Sequence, residues 1–272
     1  MSYVDTPNKK QKHPHYEHRT AKLDLKDNEF SSKKFQKVRN VSTHKNLLKS
    51  FGRIGMCLND KLTSEVQTEF LDKVCFILIN DYDSEDKELG VGPLNDGYLV
   101  GLKHHRLGFK VFYLYNSRSA QFLEFLQFFM AYTNIALTVF YSGRDDNSDG
   151  IEFNDEILSK SSVHEIISKN RNIDTRVTFI TDCLGGGSVF DIQGLPNAIA
   201  FSVLKTESTE EKEVKRSHGI FTYYFCKITS DCPNITPNRL IERMNPSLSR
   251  FNEKFTCEFS NEKLSDSPIF FN

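Results

Sequence analysis

The sequence predicts a three-layer α/β fold, in which a mostly parallel central sheet of about six strands carries helices on both faces. Short apolar runs rich in Val, Ile and Phe have the length of buried strands. They alternate with longer segments whose apolar residues follow helical spacing, and this alternation is typical of a parallel sheet covered on both sides. At 272 residues, with 38% hydrophobic and 12% aromatic content, the chain can bury such a core in one domain.

The first part of the chain differs from the rest in charge. Residues 1–49 carry twelve Lys and Arg against five Asp and Glu, a balance of +7, so a net charge of −1 leaves −8 for the remainder. Residues 1–45 are therefore predicted to form a basic, disordered arm, and residues 46–272 the folded domain. The cluster Lys9, Lys10 and Lys12 is compatible with nuclear import, but such clusters are common and we favour a solvated arm.

The elements of the domain follow in order. Apolar residues between 43 and 70 predict one or two short helices that lead into the sheet. Strands are predicted at 74–80, 110–115, 135–143, 176–182 and 198–204, with 267–272 as a candidate edge strand. Helices are predicted at 95–109, 119–130, 154–170, 220–228 and 236–244. Asn154 or Asp155 would cap the third of these helices, and Thr236 the last.

Cysteine spacing and hydropathy indicate the cellular compartment to expect. The six cysteines form no close CxxC pair and lie mostly in apolar runs, which favours reduced, packed thiols over a disulfide framework or a zinc site. No apolar run approaches the roughly 20 residues that a membrane span needs, and no secretory signal is visible. We therefore expect a cytoplasmic protein without membrane association, and the basic arm leaves a nuclear location open.

Polar motifs follow three of the predicted strands, where ligands and catalytic groups collect in α/β sheets. They are the stretch 80–96, "YSGRDDN" after the third strand and "TDCLGGGS" after the fourth. With "LGVGPLNDG", "DGIEFNDEI", "DIQG" and "GIFTYYF", they resemble the metacaspases, caspase-like cysteine peptidases, over roughly residues 70–272. The resemblance implies a caspase-like fold with a large-subunit-like part to about residue 204, a polar loop at 205–217 and a small-subunit-like part at 218–272.

The match fails at the reacting positions. In metacaspases the third strand ends in Tyr-Ser-Gly-His-Gly, with His as general base, and this chain has Arg144 in place of that His. The fourth-strand motif, aligned through Asp182 and Ser188, puts Leu184 rather than Cys183 at the position of the nucleophilic Cys. A guanidinium cannot accept the proton, and Leu has no nucleophilic atom.

Cys183 lies one residue too early, and it should project to the opposite face because side chains alternate along a strand. We therefore expect a metacaspase-like pseudopeptidase that binds a partner. The alternative is a residual endopeptidase that cleaves after Arg or Lys through Cys183. A nucleotide-binding protein with Gly185–Gly187 as phosphate loop is a weaker third class, since the loop lacks both the GK[ST] ending and the GxGxxG spacing.

The resemblance also carries over an acidic substrate pocket. It assigns Asp96, Ser142 and Asp182 to binding a substrate Arg or Lys, which carboxylates hold through charge-assisted hydrogen bonds. The alternative is structural: Asp96 could cap its helix, Ser142 could bond local backbone and Asp182 could be paired internally. A further hypothesis is that the Arg144 guanidinium reaches Asp182 or Asp145 and fills the pocket from within.

Cofactors and partners follow from the same resemblance. Many metacaspases bind calcium beside the fourth strand, and the matching candidates are Asn154, Asp155 and Asp191. Calcium is not favoured, because Asn stands where one Asp is expected and a hard cation prefers several charged oxygens. No cofactor is therefore expected. As partner we expect a protein or basic peptide, an active metacaspase among the candidates, rather than nucleic acid, and the chain itself is expected to be monomeric.

Overall fold

The computed structural model describes residues 41–82, 87–145, 150–169, 174–183, 188–205, 219–251 and 253–270. Several predictions lie outside these ranges: the arm up to residue 40, Leu184 with Gly185–Gly187, and nearly all of the polar loop at 205–217.

Two β-sheets are present in these ranges. Their strands are β1 (Gly55–Cys57), β2 (Lys73–Ile79), β3 (Lys110–Tyr115), β4 (Ala136–Gly143), β5 (Gly150–Glu152), β6 (Ile157–Ser159), β7 (Arg176–Cys183), β8 (Ala198–Lys205) and β9 (Glu253–Phe259). The main sheet has the order β1-β3-β2-β4-β7-β8-β9, and β5 and β6 form a separate antiparallel pair. All neighbours in the main sheet are parallel except β9, which is antiparallel to β8.

Helices cover both faces of the sheet. They are α1 (Val41–Phe51), α2 (Gly92–Arg106), α3 (Ser119–Tyr132), α4 (Lys160–Lys169), α5 (Ile220–Asp231) and α6 (Pro237–Leu248). Side chains of α3 and α4 pack into one apolar core, and those of α1, α2, α5 and α6 into another on the opposite face. The predicted three-layer α/β architecture is thus confirmed. No helix in the described ranges is long and apolar enough to cross a membrane.

Strand β2 shows why the sheet is buried on both sides. Phe76 and Leu78 belong to the core beneath α3 and α4, whereas Ile77 and Ile79 belong to the core beneath α2 and α5. Alternation along the strand therefore needs apolar side chains at every position, and the run VCFILI supplies them. Full burial of each such side chain contributes roughly 1.5–3 kcal/mol.

The five long predicted strands are present, but other elements differ. Strand β1 was not predicted, so the main sheet has seven strands rather than about six. Helix α1 begins at Val41, inside the predicted arm. The predicted helix 154–170 begins only at Lys160, because 150–152 and 157–159 pair as the strands β5 and β6. A three-residue pairing carries no periodicity that a sequence window could detect.

The C-terminal edge of the sheet also differs from the prediction. The edge strand is β9, and 267–270 does not join the sheet. Instead the Ile269 N–H donates to the Ile235 carbonyl at 3.0 Å, and the Phe270 ring packs edge-on against His104 at 5.3 Å. This apolar segment therefore packs against α2 and α5, where Ile269 and Phe270 are buried.

Candidate functional site

The candidate site lies at the carboxyl ends of β4 and β7. Their parallel register pairs Ser142 with Asp182 and Gly143 with Cys183. Alternation then sends the two pairs to opposite faces of the sheet. Asp182 bonds to Thr222 of α5, whereas Cys183 packs against the core beneath α3 and α4. Asp182 and Cys183 therefore lie on different faces of the sheet.

Asp96, the first of the three residues predicted to bind substrate, is buried, with 2% of its surface exposed. Both of its carboxylate oxygens accept the Gly219 N–H at 2.9 Å, and Ser142 Oγ donates to Oδ2 at 3.4 Å. Burial, and then the nearby charge of Asp182, raise the pKa of Asp96 well above its usual value. Because α2 begins at Gly92, Asp96 lies inside that helix and does not cap it.

Asp182 holds the first turn of α5. Its Oδ2 accepts from the Thr222 N–H at 3.1 Å and from Thr222 Oγ1 at 2.5 Å. Gly219 precedes this turn so closely that a Cβ there would overlap Asp182 Oδ2 and lie 2.7 Å from Cγ. Since the N-terminus of a helix carries unpaired N–H groups and positive partial charge, Asp96 and Asp182 together cap α5.

The structure therefore brings together Asp96, Ser142 and Asp182. The carboxylate oxygens accept hydrogen bonds from other groups of the same chain. Sequence reasoning missed the donors, Gly219 and Thr222. Both belong to "GIFTYYF", which had served only as support for the resemblance. Nothing local in that segment shows that its first N–H groups meet carboxylates from α2 and β7.

The backbone of Arg144 is held between two buried tyrosines. Its N–H donates to Tyr82 Oη at 2.7 Å, and its carbonyl accepts from Tyr141 Oη. Its Nε donates to the Lys87 carbonyl at 3.1 Å, which anchors the side chain on the connection between β2 and α2. That the guanidinium also fills the pocket at Asp182 or Asp145 stays a prediction.

Two described histidines near the carboxyl edge have partners other than Cys183. His44 Nε2 is 2.7 Å from Tyr115 Oη and 3.5 Å from Asp81 Oδ2, at the ends of β3 and β2. His164 Nδ1 is 3.1 Å from the Asp191 carbonyl. His44 had been assigned to the arm, so its place in this cluster was missed. Leu184 lies outside the described residues.

Two of the three calcium candidates, Asp155 and Asp191, accept backbone N–H groups in the described structure. Asp155 accepts from the Ser119 N–H at 3.2 Å and so caps α3, rather than the helix that follows it in the chain. Asp191 accepts from the Gln193 N–H at 3.0 Å and lies 3.6 Å from His164 Nδ1. In the part of the chain that the structure describes, no group of three His, Cys, Asp or Glu side chains could hold a metal ion.

A buried basic pair on α2 lies away from these strand ends. Lys103 packs its ammonium 4.7 Å from the centre of the Phe270 ring, and burial lowers the pKa of Lys103 to about 8. His104 is fully buried beside it, its Nδ1 lies 2.8 Å from the Val100 carbonyl, and burial lowers its pKa to about 3. The imidazole is therefore neutral at pH 7.

Comparison with known proteins gives matches in structure and not in sequence. No protein-family model and no curated protein matches the sequence. Caspase-1 from Spodoptera frugiperda is 12% identical with a TM-score of 0.53, over 69% of this chain and 86% of that chain. The Drosophila initiator caspase Dronc is 10% identical with a TM-score of 0.53, over 76% and 87%. Protein GSU0716 from Geobacter sulfurreducens is 11% identical with a TM-score of 0.52, over 73% and 98%.

Identities near 10% show the fold alone. The two caspases nevertheless match over most of their own length, and the central, mostly parallel sheet with helices on both faces agrees with them. The chain therefore adopts a caspase-like fold.

Proposed function

We propose that the chain is a metacaspase-like pseudopeptidase, which lacks proteolytic activity and acts by binding a partner. The observation that carries the proposal is Arg144 at the end of β4, where the resemblance expects the general base. Its guanidinium stays charged near neutral pH and cannot accept a proton from a thiol. Its backbone N–H donates to Tyr82 and its carbonyl accepts from Tyr141, which supports a fixed structural role for this residue.

The alternative is a residual endopeptidase that cleaves after Arg or Lys and uses Cys183. A cysteine nucleophile needs a base within hydrogen-bonding reach, both to form the thiolate and to protonate the leaving amine. Cys183 packs against the core beneath α3 and α4, and the imidazoles of His44 and His164 contact Tyr115 and Asp191. These observations favour the pseudopeptidase.

Reporter peptides with Arg or Lys before a fluorophore test the activity, with and without calcium. We expect wild type to release no more fluorophore than Cys183→Ala. Turnover by wild type that Cys183→Ala abolishes would establish the endopeptidase and refute the proposal. The double variant Arg144→His/Leu184→Cys supplies the two missing groups, and any gain of turnover in it supports the register assigned to the motifs.

The partner that we propose is a protein or basic peptide, an active metacaspase among the candidates. Asp96 is buried and bonded through both oxygens, so Asp182, which is partly exposed, is the carboxylate that an incoming Arg or Lys would meet. Asp182→Asn keeps an acceptor for Thr222 while it removes the charge. The matched control is Asp191→Asn, which neutralises another partly exposed carboxylate after β7.

Fluorescence anisotropy with labelled Arg- and Lys-containing peptides measures this binding. A charge-assisted hydrogen bond contributes about 1.5–3 kcal/mol, so we expect Asp182→Asn to weaken binding about tenfold or more and Asp191→Asn to leave it unchanged. Equal affinity of wild type and Asp182→Asn would show that Asp182 does not bind the basic side chain of the peptide.

A further inference from the structure

The crevice between the ends of β2 and β4 is the switch point of the sheet. The chain leaves β2 for β3 on one side and later returns to β4 on the other. In open α/β sheets such a crevice, outside the carboxyl ends of the strands, is where ligands bind. In this chain, side chains from the connection after β2 and from the segment after β4 meet across it.

Tyr82 makes the hydrogen bonds to backbone groups across this crevice. Its hydroxyl accepts from the Arg144 N–H at 2.7 Å and donates to the Glu152 carbonyl at 3.0 Å. The Glu152 N–H in turn donates to the Arg144 carbonyl at 3.2 Å. One phenol therefore ties β2 to both the end of β4 and the strand β5.

The side chains of Arg144 and Glu152 both contact Lys87, on the β2 side of the crevice. Arg144 Nε donates to the Lys87 carbonyl at 3.1 Å, and Lys87 Nζ lies 2.7 Å from Glu152 Oε1. Lys87 is thus held at its backbone and at its ammonium by two residues from the other side of the crevice. The Glu152 side chain is only 14% exposed, so its ion pair is less screened than a pair on the open surface.

Tyr82 has a backbone conformation that indicates a specific role. Its φ is +62°, a left-handed value that is an outlier for a bulky residue, and the residue is 3% exposed. Such a conformation is unfavourable and persists only where the surroundings compensate for it. Here it directs the phenol beneath the Arg144 peptide group.

We propose that Tyr82, Lys87, Arg144 and Glu152 form a latch that closes the switch-point crevice in the resting protein. Arg144 is its central part, because it contributes both a backbone and a side-chain contact. A ligand or partner that enters the crevice must first break the Arg144–Lys87 hydrogen bond and the Lys87–Glu152 ion pair. The proposal concerns the site of the proposed function but does not depend on the absence of proteolysis.

Amide hydrogen exchange on the full chain tests the latch at two reporter amides. The Leu89 N–H donates to the Asp81 carbonyl at 2.9 Å, and the Glu152 N–H to Arg144, so both exchange when the connection opens. We expect Arg144→Ala, which leaves the backbone contacts in place, to raise exchange at both amides about tenfold. Lys87→Met, which keeps the accepting carbonyl, should raise it roughly threefold.

Two controls make the result decisive. Lys61→Met removes a Lys–Glu ion pair of similar length, to Glu65 at 2.8 Å, and should leave both reporter amides unchanged. The Leu240 amide in α6 should exchange at the wild-type rate in every variant. If Arg144→Ala also accelerates Leu240, its fold is compromised and Lys87→Met alone decides. Unchanged exchange at Leu89 and Glu152 in Lys87→Met, or in a well-folded Arg144→Ala, overturns the latch.

Discussion

Replacing Gly219 with alanine tests how the carboxylates of Asp96 and Asp182 hold α5. The φ of −63 and ψ of 133 at Gly219 are values that alanine adopts without strain, so the backbone itself tolerates the change. The added Cβ, however, would overlap Asp182 Oδ2 and lie 2.7 Å from Cγ and 3.0 Å from Oδ1. Ordinary contacts of carbon atoms are about 3.5–4.0 Å, so the carboxylate has to move by about 1 Å.

The expected magnitude follows from the hydrogen bonds that this movement breaks. Asp182 accepts two from Thr222, at 3.1 and 2.5 Å, and a shift of the chain at residue 219 also weakens the Gly219 N–H bonds to Asp96. Hydrogen bonds to charged groups contribute about 1.5–3 kcal/mol each. We therefore expect Gly219→Ala to lower the free energy of unfolding by about 3–5 kcal/mol.

Urea denaturation followed by far-UV circular dichroism measures this loss. Gly52→Ala is the matched control: its Cβ meets nothing closer than 3.5 Å, so its effect should stay within about 0.5 kcal/mol. In the Asp182→Ala background the obstacle is gone, and Gly219→Ala should then cost less than about 1 kcal/mol. Two results refute the reasoning: a loss below about 1 kcal/mol for Gly219→Ala alone, or effects of Gly219→Ala and Asp182→Ala that simply add.

Three further predictions concern other parts of the molecule. Burial lowers the pKa of Lys103 from 10.5 to about 8, so the charged form opposes folding below pH 8 and the penalty disappears above 10.5. Lys103→Met should therefore be more stable than wild type at pH 7, by on the order of 2–3 kcal/mol, and urea titrations between pH 8 and 10.5 should show that advantage shrinking. Asp155→Ala removes the cap of α3 and should lower stability by about 1 kcal/mol in thermal unfolding. Millimolar calcium that stabilises wild type but not Asp155→Ala would instead indicate a metal site. Phe76→Ala opens a cavity beside Phe122 and Phe129, with ring centres at 5.7 and 5.0 Å, and should cost about 3–5 kcal/mol in urea; a cost below about 1 kcal/mol would contradict this packing.

The strands of the main sheet were predictable where the chain is buried on both sides. Five runs, those of β2, β3, β4, β7 and β8, have the length of strands, are rich in Val, Ile and Phe and are bounded by polar residues, which favours strands. β1 and the pair β5–β6 are only three residues long, and they exist because a partner strand lies beside them. Their sequences hold no periodic signal of their own.

Some features of the candidate site can likewise be predicted from the sequence, and others depend on the fold. That Arg and Leu stand at positions 144 and 184 is visible in the printed chain, and the chemistry of those side chains does not depend on the fold. The roles of Asp96 and Asp182 do depend on it, since their donors lie 123 and 40 residues further along. The residue type alone does not show whether a carboxylate binds a substrate cation or accepts from the N–H groups of a helix. Only packing of α2, β7 and α5 against one sheet determines which donor reaches it, because hydrogen bonds form over about 3 Å of space, whatever the separation in sequence.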